Sequence, residues 1–95
     1  MQFAKPGGGF QWAVGKKARV QLSEILGANP GIEPYWNALR DRLVHTGHRE
    51  GTRVTALNQG NVFVFSMELE ALPTVQVVYT ILGETLTVQS VRTVE

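Results

Sequence analysis

The chain contains no cysteine among its 95 residues. Disulfides, thiolate nucleophiles and cysteine-ligated metals are therefore excluded, and the absence is typical of a reducing compartment. No apolar run approaches the ~20 residues that a bilayer-spanning helix needs. Residues 1–10 also lack the apolar segment of a secretory signal. We therefore expect a cytoplasmic protein that makes no contact with a membrane.

Positive charge is scarce in the second half of the chain. Residues 1–53 hold eight of the nine lysines and arginines and four of the eight acids. Residues 54–95 hold only Arg92 against four glutamates. Nucleic-acid binders usually place a strong basic patch on the contacting element, and here that element would belong to the first half. A solvated mixture of charges is the competing interpretation.

The length predicts a single domain. The Lys-Pro-Gly-Gly-Gly stretch at residues 5–9 disfavours regular structure. We therefore expect residues 1–9 to form a flexible lead-in and residues 10–95 to form the domain.

Two helices are predicted before the middle of the chain. Phe10, Trp12 and Val14 alternate with other residues and indicate a short first strand. Apolar residues at helical spacing then predict a helix over residues 16–26. A second helix should begin near Pro34 and end at Thr46-Gly47. The short connection between the two helices favours an antiparallel helical hairpin.

The last 44 residues contain four strand-like runs, at residues 52–58, 61–70, 75–82 and 84–94. Short turn signals such as Asn58-Gln59-Gly60-Asn61 separate them, which predicts an antiparallel meander. One face should be apolar and pack on the helical hairpin. The expected fold is α+β, with a short N-terminal strand and a helical hairpin on a four- to five-stranded antiparallel sheet. The apolar residues of the predicted core face are Phe63, Phe65, Met67, Leu69, Val75, Val77, Tyr79, Ile81, Leu86 and Val88.

A cationic cluster lies where the second helix gives way to the sheet. Arginine is suited to bidentate phosphate contact, and histidine can supply acid–base chemistry near neutral pH. The cluster consists of His48, Arg49 and Arg53. His48, Arg53 and, near the end of the last strand, Arg92 are the candidate catalytic residues, with Arg49 as a phosphate or partner contact. The competing interpretation of the cluster is a solvated connector, and that of Arg92 is a simple charge at the end of a strand. Further candidates for phosphate or partner binding lie on the first helix, at Lys16, Lys17 and Arg19.

No metal site or other cofactor is predicted. His45 and His48 are three residues apart, but only Glu50 is near enough in sequence to add a ligand. Glu68 and Glu70 would share one strand face, where paired carboxylates can act as acid and base. Solvated glutamates that discourage edge-to-edge association are the competing explanation.

The order of strand, helical hairpin and antiparallel strands resembles the RelE/ParE toxin family of bacterial type II toxin–antitoxin systems. The similarity is closest at residues 76–92, where Val77-Val78-Tyr79-Thr80-Ile81 is followed by a short turn, Leu86-Thr87-Val88 and then Arg92. The resemblance implies an antitoxin as partner, and the ribosome with its mRNA or DNA gyrase as target.

Two departures from the family's pattern bear on ribosome-dependent RNA cleavage, the enzymatic activity that the resemblance implies. Gln76 stands where the family usually has an arginine before Val-Val-Tyr. The run at residues 62–70 lacks the lysines or arginines of the mRNA-cleaving members, whose chemistry depends on cations that neutralise phosphate. We therefore expect a toxin-like protein that binds the translation machinery or gyrase. The alternative is a non-enzymatic interaction or assembly module on the same scaffold.

Overall fold

The computed structural model describes residues 9–54 and 61–94. Most of the predicted lead-in, the predicted turn at residues 58–60 and the end of the first meander run lie outside these ranges. The described elements, in chain order, are β1 (Gln11–Val14), α1 (Lys16–Ala28), a 3-10 turn (Pro30–Ile32), α2 (Glu33–Glu50), β2 (Thr52–Arg53), β3 (Val62–Met67), β4 (Thr74–Leu82) and β5 (Thr85–Val94).

The strands form one sheet in the order β1-β5-β4-β3-β2. The α+β class is confirmed, and so is the antiparallel pairing of each strand with the next from β2 through β5. The expectation of a purely antiparallel sheet is wrong, because β1 pairs parallel to β5. Only strands joined by tight turns are forced to be antiparallel. Both helices and three other strands separate β1 from β5 in the chain. No tight turn joins the two strands, so their relative direction is not constrained.

Both helices pack against one face of the sheet, as predicted. The side chains of Tyr79, Val77 and Leu86 are fully buried there. The helical hairpin contributes Ala18, Ile32, Trp36, Leu39 and Leu43 to the same hydrophobic core. Phe65, Leu69 and Ile81, from the predicted core face, are only partly buried. Full burial of an aliphatic or aromatic side chain stabilises by about 1.5–3 kcal/mol, so this layer is the main source of stability.

A β-bulge shifts the faces of β5. Tyr79 pairs with Val88, but the preceding Val78 pairs with Ser90, which leaves Gln89 as an extra residue. Val91 therefore enters the core, and Arg92 lies on the outer face opposite Gln76. Simple alternation from Leu86 and Val88 would have put Arg92 on the core face instead.

Three predicted boundaries are wrong. α1 continues through Gly27 to Ala28, and Pro30 opens the next turn. α2 does not end at Thr46-Gly47 but reaches Glu50, across a kink at Thr46 with φ −132° and ψ 25°. The third is β3, which ends at Met67, so Glu68 and Glu70 lie beyond the strand and do not share a strand face.

Candidate cationic interface at the end of helix α2

The last turn of α2 lies directly on the sheet. A Cβ at Gly47 would lie 2.5 Å from Leu86 Cδ1, so any other residue at this position would force a shift of the Leu86 side chain or of the turn. The closeness brings the Gly47 carbonyl within reach of Tyr79, whose hydroxyl donates to it over 2.6 Å. Burial raises the pKa of Tyr79 to about 12. The hydroxyl is therefore a neutral donor that fixes the position of the turn.

A three-layer stack extends from Tyr79 to the edge of the sheet. The rings of Phe63 and Tyr79 stack with centroids 5.4 Å apart and planes 9° apart. The Arg53 guanidinium lies over Phe63, with Cζ 5.5 Å from the ring centroid. These residues are register partners on β2, β3 and β4. A cation over an aromatic face at an exposed site contributes about 0.5–1 kcal/mol, so Arg53 is held in place while remaining exposed.

A second arginine, Arg42 of α2, lies over Phe65, the next residue of β3 on the same face as Phe63. Arg42 Cζ lies 5.6 Å from the centroid of Phe65. Its Nη2 donates to Glu50 Oε1 over 2.8 Å, and the Thr46 hydroxyl donates to Glu50 Oε2 over 2.7 Å. These two hydrogen bonds, that of Thr46 first, hold the pKa of Glu50 below its usual value, and the positive charge of Arg49 adds to the effect.

We refer to Arg42, Arg49 and Arg53 with Glu50 as the α2-end cluster. Phe63 and Phe65 are two apart on one strand and so lie on one face, which places the two stacked guanidiniums side by side. Arg42 and Arg49 both act on the Glu50 carboxylate, and with Arg53 the cluster has three positive charges against one negative charge. Its side chains are exposed except for that of Glu50, which is partly buried. Such an arrangement can bind carboxylates or phosphates through the unused guanidinium N–H groups.

Arg42 was not predicted as a site residue. Its contact with Phe65 joins positions far apart in the chain, which no local pattern reveals. A signal was nonetheless present, because Arg42, Thr46 and Glu50 recur every four residues and therefore share one helix face. The kink at Thr46 then draws the two charged ends together.

The structure does not bring all the predicted site residues together. Arg49 and Arg53 lie in the α2-end cluster. His48 is on the same turn, but its ring packs edge-on against Phe10, with centroids 6.0 Å apart. Phe10 precedes β1, whereas Phe63 is on β3, and two strands separate them. His48 therefore contacts the β1 end of the sheet and Arg53 contacts β3, with β5 and β4 between them.

Arg92 is remote from the cluster. Its Nε donates to Gln76 Oε1 over 2.8 Å on the outer face, whereas Arg53 lies over the core-face residue Phe63. The two arginines are thus on opposite faces of the sheet. Gln76 therefore orients the one cation of β5.

The basic residues of α1 form a separate group. Lys16, Lys17 and Arg19 are exposed at the start of the helix. Arg19 reaches back to the Val14 carbonyl at 3.5 Å, the outer limit of a hydrogen bond. Among the residues that the structure describes, none of the three forms an ion pair; the ion pair present is Arg42–Glu50.

No group of three or more potential metal ligands occurs within residues 9–54 and 61–94. His45 Nδ1 lies 2.9 Å from the carbonyl of Asp41, one helical turn earlier. The described helices include none that is long and apolar enough to cross a membrane.

Comparisons with models of protein families, with curated proteins and with solved structures found no match to this chain.

Proposed function

We propose that the chain is a toxin-like protein of a bacterial toxin–antitoxin pair that acts by binding a protein target, in the translation machinery or DNA gyrase. The order of strand, helical hairpin and antiparallel strands is the one that the resemblance implies. The observation that carries the binding role is the α2-end cluster. It exposes three guanidiniums, two of which are held over aromatic rings.

RNA cleavage is not part of the proposal. General acid–base catalysis needs the proton-transferring group within hydrogen-bond reach of the reacting atoms, and phosphate chemistry needs cations at the same place. His48 packs beside β1, Arg53 over β3, and Arg92 on the other face. The three residues thus do not converge on one phosphate. A binding role needs only the exposed cations.

Expression of the chain alone, with growth as the readout, tests this proposal. We expect growth arrest, with cellular RNA intact, and rescue by a small acidic partner encoded beside it. Arg53→Ala should weaken toxicity and Arg92→Ala should not, because only Arg53 belongs to the cluster. Growth unaffected by expression would refute the toxin function. Equal toxicity of the Arg53→Ala/Arg92→Ala double variant would show that the site is elsewhere.

The alternative is a non-enzymatic interaction module. It is favoured by the outer face of the sheet, which no described element covers. Thr80, Thr85, Thr87 and Ser90 are partly exposed there, and Arg92 is the only charged residue on the described strands of that face. A module of this kind should bind its partner without arresting growth, so the same expression experiment distinguishes the two functions.

A further inference from the structure

The α2-end cluster contains an internal carboxylate at the position where a binding partner's carboxylate would lie. Glu50 Oε1 is 2.8 Å from Arg42 Nη2. Arginine can hold a carboxylate through two parallel N–H groups, but here one nitrogen makes the contact. The remaining N–H groups of Arg42, and those of Arg49 and Arg53, are available to a larger acidic ligand.

The contact is suited to exchange. The side chain of Arg42 is 56% exposed and that of Glu50 is 23% exposed. Exposed ion pairs contribute little to stability, so a ligand that offers several carboxylates can displace Glu50 at small cost. Arg42 would keep its position, because its guanidinium also lies over Phe65.

Local backbone geometry brings Glu50 to this place. Thr46 departs from helical φ and ψ, and its hydroxyl holds the second Glu50 oxygen at 2.7 Å. The Tyr79 hydroxyl anchors the start of the same turn at Gly47. The turn is thus fixed at one end by a buried bond and at the other by the exposed Glu50 pair.

We propose that Glu50 is an intramolecular competitor for the α2-end cluster, and that the ligand it excludes is an acidic segment of a partner protein. The inference rests on the binding site of the proposed function. Carboxylates are the favoured ligand chemistry because a carboxylate already binds one nitrogen of Arg42. Bases of a nucleic acid would need free ring faces, and those of Phe63 and Phe65 are partly taken by guanidiniums.

The test measures binding of a short glutamate-rich peptide to the full chain, by fluorescence anisotropy. Glu50→Gln should bind the peptide about two- to fivefold more tightly, the range equivalent to losing an exposed ion pair. Thr46→Val should shift affinity the same way, without a change of charge. Arg42→Ala and Arg53→Ala should each weaken binding about tenfold, whereas Arg40→Ala, an exposed arginine of the same helix, should have little effect.

A double-mutant comparison separates competition from a general change of charge. In the Arg42→Ala background, Glu50→Gln should have almost no effect on affinity, because the competing contact is already gone. Glu33→Gln removes the same charge at the other end of α2 and should leave affinity unchanged.

Three results would overturn the inference. They are an equal gain from Glu50→Gln with and without Arg42, no binding of the peptide by any variant, and tighter binding of an RNA oligonucleotide of equal charge. Growth arrest is measured separately. A chain that binds the peptide as expected but is harmless contradicts the toxin function alone. A toxic chain whose Glu50→Gln variant gains nothing contradicts the competition alone.

Discussion

At the scale of single residues, the Tyr79 hydroxyl joins the sheet to the end of α2. The side chain is fully buried, and its partner is a backbone carbonyl at a kinked helix end. Carbonyls in the last turn of a helix lack the usual partner four residues on, so the bond satisfies a group that burial would otherwise penalise. A single side chain thus helps to hold the last helical turn against the core.

Tyr79→Phe should lower the free energy of unfolding by about 1–3 kcal/mol, because it leaves the Gly47 carbonyl without its donor. Chemical denaturation measures the loss. Tyr35→Phe is the matched control, since that tyrosine is 49% exposed. Removal of its hydroxyl should change the free energy of unfolding by less than about 0.5 kcal/mol. Equal losses in the two variants would show that the buried hydrogen bond contributes nothing.

The same hydroxyl predicts a dependence on alkaline pH. The pKa of Tyr79 rises from 10.0 to about 12 through burial, so the folded state retains its proton where the unfolded state loses it. The stability is complete below the lower value and decreases as pH rises toward the higher one. Denaturation across this range should show a steeper loss for the natural chain than for Tyr79→Phe.

At the scale of elements, α2 shows what a sequence pattern predicts and what it omits. Its predicted apolar stripe was Tyr35, Trp36, Leu39, Leu43 and Val44. Trp36, Leu39 and Leu43 lie in the core, but Tyr35 is 49% exposed. Its end was wrong, because Thr46-Gly47 resembles a stop signal. Gly47 instead contacts Leu86, on a strand far away in sequence, and such a contact leaves no local periodicity. Glu50 contacts Arg42 within the same helix.

Gly47→Ala tests this contact. The added Cβ would meet Leu86 Cδ1 at 2.5 Å, and the resulting overpacking should cost about 1–3 kcal/mol of unfolding free energy. Gly27→Ala, near the end of α1, is the control. Nothing lies within 4 Å of its added Cβ, so alanine there should stabilise by about 0.5–1 kcal/mol. A neutral Gly47→Ala would mean that the turn can lift away from the sheet freely.

At the scale of the whole molecule, the sheet order could be predicted only in part. The meander from β2 to β5 follows from short turns between alternating strands, and it was predicted. The parallel addition of β1 beside β5 was not, because pairing across almost the whole chain has no turn to indicate it. For the same reason the sequence pattern could not show that His48, Arg53 and Arg92, which were grouped as one predicted site, lie at different places on the two faces of the sheet. Arg53 and Arg49 alone could be placed together from their nearness in sequence.

The sheet order predicts how protection from hydrogen exchange is distributed. β4 and β5 have a paired strand on both sides, whereas β2 is a two-residue edge strand. Amides of β4 and the start of β5 should therefore exchange slowest, at rates approaching those of global unfolding. The amides of Thr52 and Val54 should exchange much faster. Uniform protection across the five strands, measured by NMR, would contradict this distribution.

The bulge at Gln89 changes the parity of β5. Before it, even-numbered positions face the helices, and after it odd-numbered positions do, so the strand has one residue more than regular pairing requires. Deletion of Gln89 would therefore leave Val91 facing inward and Arg92 facing outward. In a strand without this spare residue, the same deletion would exchange the two and bury a guanidinium in the core.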